Sequence, residues 1–210
     1  MTAPISSYFD DGMRFFEEGH YEQAIELFTK ALRLSLGDLA QTHLYRGISY
    51  AYLDAFDKAL NDFNNALRKN PYIADAYNER GNLYRLSDDY QLALDDYDAA
   101  IAIDKAHYAA YYNRALTHEK MGQLTAADSD LSHAIGLQAD IPAFYEARGR
   151  IRVEIKNYDG AIADYEQFLA LGGGHEYDNE SDVQSLMIAL RINHFLSRFI
   201  PTRFLPNTRL

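Results

Sequence analysis

The chain has 210 residues and a formal net charge of −11, with no cysteine and no tryptophan but 17 tyrosines and 11 phenylalanines. The lack of cysteine excludes disulfides, thiolate metal sites and a cysteine nucleophile. The acidic balance disfavours nucleic acid as a partner, because phosphate neutralisation needs a basic surface. Residues 1–20 hold no apolar run, and no stretch approaches about 18 consecutive apolar residues. We therefore predict no secretory signal, no membrane span and a cytoplasmic location.

Two columns of small residues recur along the chain at intervals of 34 or 35 residues. They are Gly12, Gly47, Gly81, Ala115 and Gly149, and Ala24, Ala59, Ala93, Ala127 and Ala161. Large residues, many of them aromatic, fill the columns between, and Tyr77, Gly81 and Tyr84 are spaced i, i+4 and i+7. This spacing forms one apolar stripe on a helix, so each unit is predicted to be a helical hairpin. A single hairpin cannot bury its stripe alone, and neighbouring units must therefore stack.

The predicted elements, in chain order, are five helix–turn–helix repeats, a closing helix and a tail. The repeats cover about residues 5–38, 39–72, 73–106, 107–140 and 141–174, and together make up the domain 1–174. The glycines at 172–174 end the last repeat helix. Residues 175–200 carry the apolar stripe of a capping helix, which a solenoid requires over its last repeat. Residues 201–210 form a basic, irregular tail.

The third unit carries a specific resemblance, in the pattern Tyr77, Gly81, Tyr84, Tyr90, Ala93, Tyr97 and Ala100. This pattern resembles the tetratricopeptide repeat, and the resemblance covers about residues 5–173. It implies an all-α fold, a right-handed α-α superhelix (solenoid) of five repeats. The departures are local. The closing proline of the family is present only as Pro71, and Arg152 and Phe168 replace packing residues in the fifth unit.

Two charged columns run in step with the repeat. Arg46, Arg80, Arg114 and Arg148 precede the small-residue column by one position, and Asp62, Asp96, Asp130 and Asp164 follow each arginine by 16 residues. The first unit lacks both charges and has Asp11 and Leu27 in their places. Because the columns are present together and absent together, we predict that they meet as structural ion pairs. A row of arginines that reads a ligand is the alternative.

The resemblance also implies a ligand site, because the first helix of each tetratricopeptide repeat lines a concave face that binds an extended peptide or a helix. The lining residues predicted in this way are Phe9, Met13, Leu44, Ile48, Tyr52, Asn78, Asn82, Arg85, Tyr112, Leu116, Glu119, Glu146 and Arg150. The set is apolar at its amino-terminal end, rich in amides in the middle and charged at its carboxy-terminal end. A solvent-facing patch of Phe9, Met13, Leu44 and Ile48 would mark an interaction site.

Two further expectations concern the chemistry of this face. Asn78 and Asn82 lie one helical turn apart, so their amides could pair with both the N–H and the C=O of a peptide backbone; ordinary solvated side chains are the alternative. One subclass of the family holds chaperone tails with a Lys/Asn/Arg carboxylate clamp. Here Phe9, Met13 and Leu44 occupy places of that clamp, and chaperone-tail binding is not inferred.

No catalytic, metal or cofactor site is predicted, because the histidines are scattered without a ligand spacing and no serine lies in a nucleophile motif. The expected function is a non-catalytic module that binds a protein or peptide on its concave face. The alternative is a self-assembling array that forms homo-oligomers through residues 181–210. Residues 191–210 hold four arginines and no acid, which leaves −15 on residues 1–190. A basic tail could therefore bind the acidic body of a neighbouring copy.

Overall fold

The computed structural model describes residues 7–176 and 180–199, and every secondary-structure element in those two ranges is a helix. The predicted tail 201–210 lies outside the described residues. The helices are α1 (Ser7–Glu17), α2 (Tyr21–Arg33), α3 (Leu39–Tyr52), α4 (Phe56–Lys69), α5 (Ala74–Leu86), α6 (Tyr90–Ile103), α7 (Tyr108–Lys120), α8 (Leu124–Leu137), α9 (Pro142–Glu154), α10 (Tyr158–Ala170), α11 (Gly173–Glu176) and α12 (Glu180–Phe199). The predicted all-α fold is confirmed. None of the described helices is long and apolar enough to cross a membrane.

The chain divides into two compact units, Met1–Asn113 and Arg114–Leu210. In the first unit, α1 packs on α2, α3 on α4 and α5 on α6, so successive helices form antiparallel hairpins. The core of the second hairpin is built from alanines around one large ring, with Ala59, Phe63 and Ala66 all fully buried. On the other helix, α3, the small residue Gly47 faces the ring of Phe63, and this allows the two backbones to approach closely.

The glycine column marks the point of closest approach in each hairpin. A Cβ atom on Gly81 would lie 2.8 Å from Cε1 of Tyr97, and one on Gly47 would lie 2.7 Å from Cε1 of Phe63. Real Cβ atoms essentially never come within 3.0 Å of such an atom. A larger residue at this column therefore requires the ring beneath it to move.

A left-handed residue ends the first helix of each hairpin. Gly19, Asp54, Asp88, Gly122 and Lys156 all have positive φ, between 55° and 76°. Glycine adopts this conformation without steric cost, and aspartate tolerates it, whereas a lysine is strained there by about 1–2 kcal/mol. This column was not predicted, because its residue types differ so widely.

In the second unit, α12 packs on α10. Val183, Met187 and Leu190 of α12 are buried in one cluster with Tyr165 and Phe168 of α10. Of the predicted helix 175–200, the structure describes the end of α11 and the whole of α12, while residues 177–179 and 200 lie outside the described ranges. Phe168 stands in a column that is alanine in the other repeats. It is fully buried beside Gly173 and α12. The larger side chain therefore fills the space between the last hairpin and α12, which stands where another repeat would otherwise follow.

Candidate functional site

The first unit contains a pocket of about 570 Å³, formed mainly by α1, α3 and α5. Its lining is Phe16, Leu44, Tyr45, Ile48, Ala51, Tyr52, Phe56, Asp75, Glu79, Asn82, Leu83 and Leu86. The volume lies within the usual range for small-ligand sites. The pocket is therefore a depression between first helices of successive hairpins, with one aromatic wall and one polar wall.

The aromatic wall consists of Phe16, Tyr45 and Tyr52, supported by Tyr21. The ring of Phe16 meets that of Tyr45 edge-on, with 5.4 Å between the centroids and 70° between the planes. The rings of Tyr21 and Tyr52 stack in parallel, 4.4 Å apart. Packing of this kind fixes the orientation of the rings. Tyr52 nevertheless keeps 62% of its surface exposed, so one rigid aromatic face remains open to a ligand.

The polar wall centres on Glu79. Asn78 donates from Nδ2 to Oε1 of Glu79 over 2.9 Å, and Asn82 donates to Oε2 over 3.3 Å. Burial raises the pKa of the Glu79 carboxyl, and these two amide donors only partly oppose that effect. Within the part of the chain that the structure describes, Glu79 forms no ion pair with a lysine, arginine or histidine. The pocket thus holds a carboxylate that a positively charged ligand group would favour.

A second carboxylate, Asp75, lies at the same wall but already has a partner. Its Oδ1 is 3.1 Å from Nε2 of His107. This hydrogen bond is the main cause that lowers the pKa of Asp75 and raises that of His107. Of the two pocket carboxylates, Glu79 is therefore the one that has amide donors but no ion pair among the described residues, and the charge of His107 lowers its pKa only as a minor contribution.

The geometry of the predicted amide clamp differs from the expectation. Asn78 is buried, and its Oδ1 accepts a hydrogen bond of 3.0 Å from Asn113 while its Nδ2 is held by Glu79. Asn82 lines the pocket, but its Oδ1 accepts a 2.9 Å bond from the hydroxyl of Tyr97. Asn78 faces the next first helix instead of the solvent, because the rotation of α5 turns that position inward. The pair does not form a free clamp in this structure.

The predicted apolar patch is also less open than expected. Leu44 is a core residue with 2% of its surface exposed, and it forms the floor of the pocket together with the half-buried Ile48. Phe9 and Met13 are half-buried and do not line the pocket. Phe9 instead packs beside Phe28, with the ring centroids 5.8 Å apart. The amino-terminal end of the predicted face is therefore largely internal packing.

The remaining predicted lining residues lie outside the pocket. Arg85 is half-buried, and its Nε is buried without a hydrogen-bond partner among the described residues. On α7, Tyr112 and Leu116 are half-buried. Arg150 donates to Glu119 over 2.8 and 3.0 Å and to Glu146 over 2.8 and 2.9 Å.

The cluster of Arg150, Glu119 and Glu146 is held together by its own charges. The hydrogen bond to Glu119 is the main cause that raises the pKa of Arg150, with burial opposing it and Glu146 adding to it. The charged end that the sequence predicts for the concave face is therefore paired internally.

The structure brings each predicted arginine together with its predicted aspartate inside one hairpin. The two shortest N–O distances of each pair are 2.7 and 2.8 Å for Arg46–Asp62, 2.7 and 2.8 Å for Arg80–Asp96, 2.6 and 2.8 Å for Arg114–Asp130, and 2.6 and 3.0 Å for Arg148–Asp164. The aspartate side chains retain between 1% and 7% of their surface. Both charges are engaged across the hairpin, as a structural pair would be.

At Asp62, the hydrogen bonds of the pair outweigh the effect of burial on the pKa of the carboxyl. Burial by itself raises the pKa of Asp62, but hydrogen bonds from His43 and Arg46 outweigh it and hold the pKa below its usual value. His43 stands in a column of tyrosines, and its Nδ1 lies 2.8 Å from Oδ1 of Asp62. The histidine therefore belongs to the ion-pair network of its hairpin.

The arginines also make a backward contact that was not predicted. Nη1 of Arg46 donates to Thr29 over 3.0 Å, that of Arg80 to Asn64 over 2.7 Å, and that of Arg148 to Ser132 over 3.1 Å. Each acceptor lies on the preceding hairpin, 16 or 17 residues earlier. The residues that accept these bonds, Thr29, Asn64 and Ser132, differ in type but are all polar. Their shared polarity is the sequence feature that could have predicted the contact.

Arg152 explains one departure of the fifth unit. It donates to Asp128 over 2.8 Å and to Asp164 over 2.9 Å, so Asp164 accepts from two arginines.

Among the residues that the structure describes, no three His, Cys, Asp or Glu side chains are grouped so that they could hold a metal ion.

Sequence models of the tetratricopeptide repeat family match this chain at residues 7–38, 74–107 and 108–141. The "DnaJ homolog subfamily C member 7 homolog" of Dictyostelium discoideum is 27% identical over 168 residues, which cover 72% of this chain and 31% of that protein. "Heat shock protein STI1" of Saccharomyces cerevisiae is 32% identical over 110 residues, 52% of this chain and 19% of that protein. The chain thus spans less than a third of the length of these relatives.

Among solved structures, a MamA chain beginning at residue 41, from Desulfovibrio magneticus RS-1, superposes with a TM-score of 0.70 at 21% identity. The match covers 83% of this chain and 98% of that one. At this level of identity the likeness shows a common fold.

Proposed function

Because the chain belongs to the tetratricopeptide repeat family, whose repeats mediate interactions between proteins, we propose that it is a non-catalytic binding module for a segment of a protein. The ligand enters the pocket of α1, α3 and α5. The observation that carries the proposal is the presence, in one pocket, of an exposed aromatic wall and of Glu79, a carboxylate that forms no ion pair in the described part of the chain.

This combination selects the side chain of the ligand. Lysine and arginine have an apolar stem and a cationic head, and they bury the stem while keeping the head in a polar environment. The Glu79 carboxylate can accept charge-assisted hydrogen bonds from such a head, and the exposed ring of Tyr52 can support it through a cation–π contact. A neighbouring bulky apolar residue would fill the floor at Leu44 and Ile48. We propose a ligand segment with a basic residue beside an apolar one.

The test is a peptide-display selection on the purified full chain, repeated on Glu79→Gln and on Glu22→Gln. Glu22 is an exposed residue of α2 outside the pocket, so both variants remove one negative charge. We expect peptides with Arg or Lys next to Leu, Ile or Phe to be enriched on the wild type and on Glu22→Gln. Equal enrichment on Glu79→Gln, or enriched peptides without a basic residue, would contradict the proposal.

The Glu79→Gln variant is expected to fold, which makes a loss of binding interpretable. Burial raises the pKa of Glu79 above its unfolded value, so its ionisation costs folding free energy once the pH exceeds the folded-state pKa. A neutral glutamine removes that cost. Thermal unfolding at neutral pH should therefore show equal or greater stability for Glu79→Gln. Affinity of the wild type for an enriched peptide should fall as the pH drops through the raised pKa, because only the carboxylate attracts the cation.

A further inference from the structure

The chain itself contains a segment with the chemistry that the pocket selects. Residues 200–210 read IPTRFLPNTRL and lie outside the described residues. The segment has two arginines, no acidic residue and four large apolar side chains, which are Ile200, Phe204, Leu205 and Leu210. Arg203 stands directly beside Phe204, so the basic and apolar groups are adjacent.

We propose that the pocket of α1, α3 and α5 in one copy binds residues 200–210 of a second copy of this chain. The inference rests on the proposed function, since it names the segment that the same site would take. Arg203 pairs with Glu79 in this arrangement, and Leu205 lies against the apolar floor.

Charge complementarity supports the choice of this segment. The chain carries −15 on residues 1–190 and +4 on residues 191–210. Two whole copies, each at −11, repel one another, so a tail–pocket contact has to be local and specific in order to hold them together. A pocket of about 570 Å³ accommodates a few side chains of an extended segment instead of a folded element.

The spacing within the segment suits an extended ligand. Pro201 and Pro206 lack the backbone N–H that a helix interior needs, and they disfavour helix between them. In an extended segment, residues two apart share one side. Arg203 and Leu205 would therefore point into the pocket together, one towards Glu79 and the other towards the floor formed by Leu44.

The occupant that we assign is the tail of a second copy, because residues 191–210 carry +4 while residues 1–190 of every copy carry −15, which favours contact between the tail of one copy and the body of another. A tail that enters the pocket of the next copy leaves that copy's own tail available, so the contact is heterologous and produces a ring or an open array.

The test is sedimentation equilibrium of the full chain at low ionic strength over a wide range of concentration. We expect the wild type to associate beyond its 24.0 kDa monomer in a concentration-dependent way. Arg203→Gln and Glu79→Gln should each weaken association about tenfold, the usual effect of losing one charge-assisted contact. Arg68→Gln is the matched control for Arg203→Gln, because it removes the same charge from an exposed position of α4.

The two pocket-directed variants change the net charge in opposite directions. Arg203→Gln makes the chain more acidic, whereas Glu79→Gln makes it less acidic and lowers the general repulsion between copies. A loss of association in both variants is therefore the signature of the pair. A wild type that stays monomeric at every concentration would overturn the inference, and so would association that Glu79→Gln leaves unchanged.

A labelled peptide of residues 199–210 separates this inference from the proposed function. It should bind the Arg203→Gln chain, whose own tail no longer competes, and not the Glu79→Gln/Arg203→Gln chain. If display-selected peptides bind the pocket in a Glu79-dependent way but this peptide does not, the inference fails and the proposed function stands. If neither kind of peptide depends on Glu79, both fail.

Discussion

Replacing Asp96 by alanine tests the ion pairs of the hairpins most directly. Arg80 donates to both carboxylate oxygens of Asp96, and the two side chains retain 19% and 7% of their surface. The guanidinium also lies between the rings of Tyr77 and Tyr84, 5.5 and 5.9 Å from their centroids. Without the carboxylate, the largely buried cation keeps Asn64 of the preceding hairpin as its hydrogen-bond acceptor among the described residues.

The expected cost follows from this burial. Breaking a fully buried pair costs about 3–5 kcal/mol, whereas an exposed pair contributes about 0–1 kcal/mol. Because Arg80 retains a fifth of its surface, we expect Asp96→Ala to lose about 3 kcal/mol of unfolding free energy, near the lower end of the buried range. Asp96→Asn keeps the shape and one acceptor oxygen, and it should lose about 2 kcal/mol.

Urea unfolding followed by circular dichroism measures the loss, and hydrogen exchange of the α5 and α6 amides locates it. The double variant Arg80→Met/Asp96→Ala should lose less than the sum of the two single variants, because it leaves no lone charge. Lys30→Met, which breaks the exposed pair with Glu26, is the surface control. If Asp96→Ala costs no more than this control, or if the double variant is strictly additive, the pairing argument is wrong.

Three further outcomes are expected from features of the hairpins. Gly81→Ala should lose about 1–3 kcal/mol because its methyl group meets a buried tyrosine ring, whereas Gly136→Ala, which has open space around it in α8, should gain about 0.5–1 kcal/mol in chemical denaturation. Lys156→Gly should gain about 1 kcal/mol by relieving the positive φ at the α9–α10 turn, and an unchanged midpoint would contradict this. The raised pKa of His107 and the lowered pKa of Asp75 mean that their pair stabilises the fold fully between about pH 3.8 and pH 6.5 and loses this effect as the pH rises through the raised value. The melting temperatures of wild type and His107→Gln should therefore converge at alkaline pH.

The hairpins were readable from the sequence because their requirements are local and periodic. A backbone approach that allows no Cβ atom, as at Gly81, produces a column of small residues, and a charge pair inside one hairpin produces two columns at a constant offset of 16. The small-residue column repeats in all five units, and the charge pair repeats in the second to the fifth. The contact of Arg46, Arg80 and Arg148 with the preceding hairpin uses threonine, asparagine or serine, and this variety hid it.

The pocket was only partly predictable, because it depends on how first helices are rotated against each other. Ile48, Tyr52 and Asn82 were expected there and line it. Asn78 and Glu79 are neighbours in sequence, yet Asn78 is buried against Asn113, 35 residues later, and Glu79 faces the pocket. No property of α5 alone distinguishes which of the two turns inward.

The backward contacts of the arginines have a consequence for how such a chain can change its length. Arg80 finds one partner 16 residues before it and another 16 residues after it, and Arg148 does the same. After duplication or loss of a whole 34-residue block, each arginine at the new junction between repeats would therefore still have an acceptor before it and a carboxylate after it. An insertion of any other length inside a hairpin would leave the guanidinium of its arginine without the aspartate partner. The arginine contacts are therefore compatible with a change in the number of repeats and incompatible with a shift of the 34-residue register.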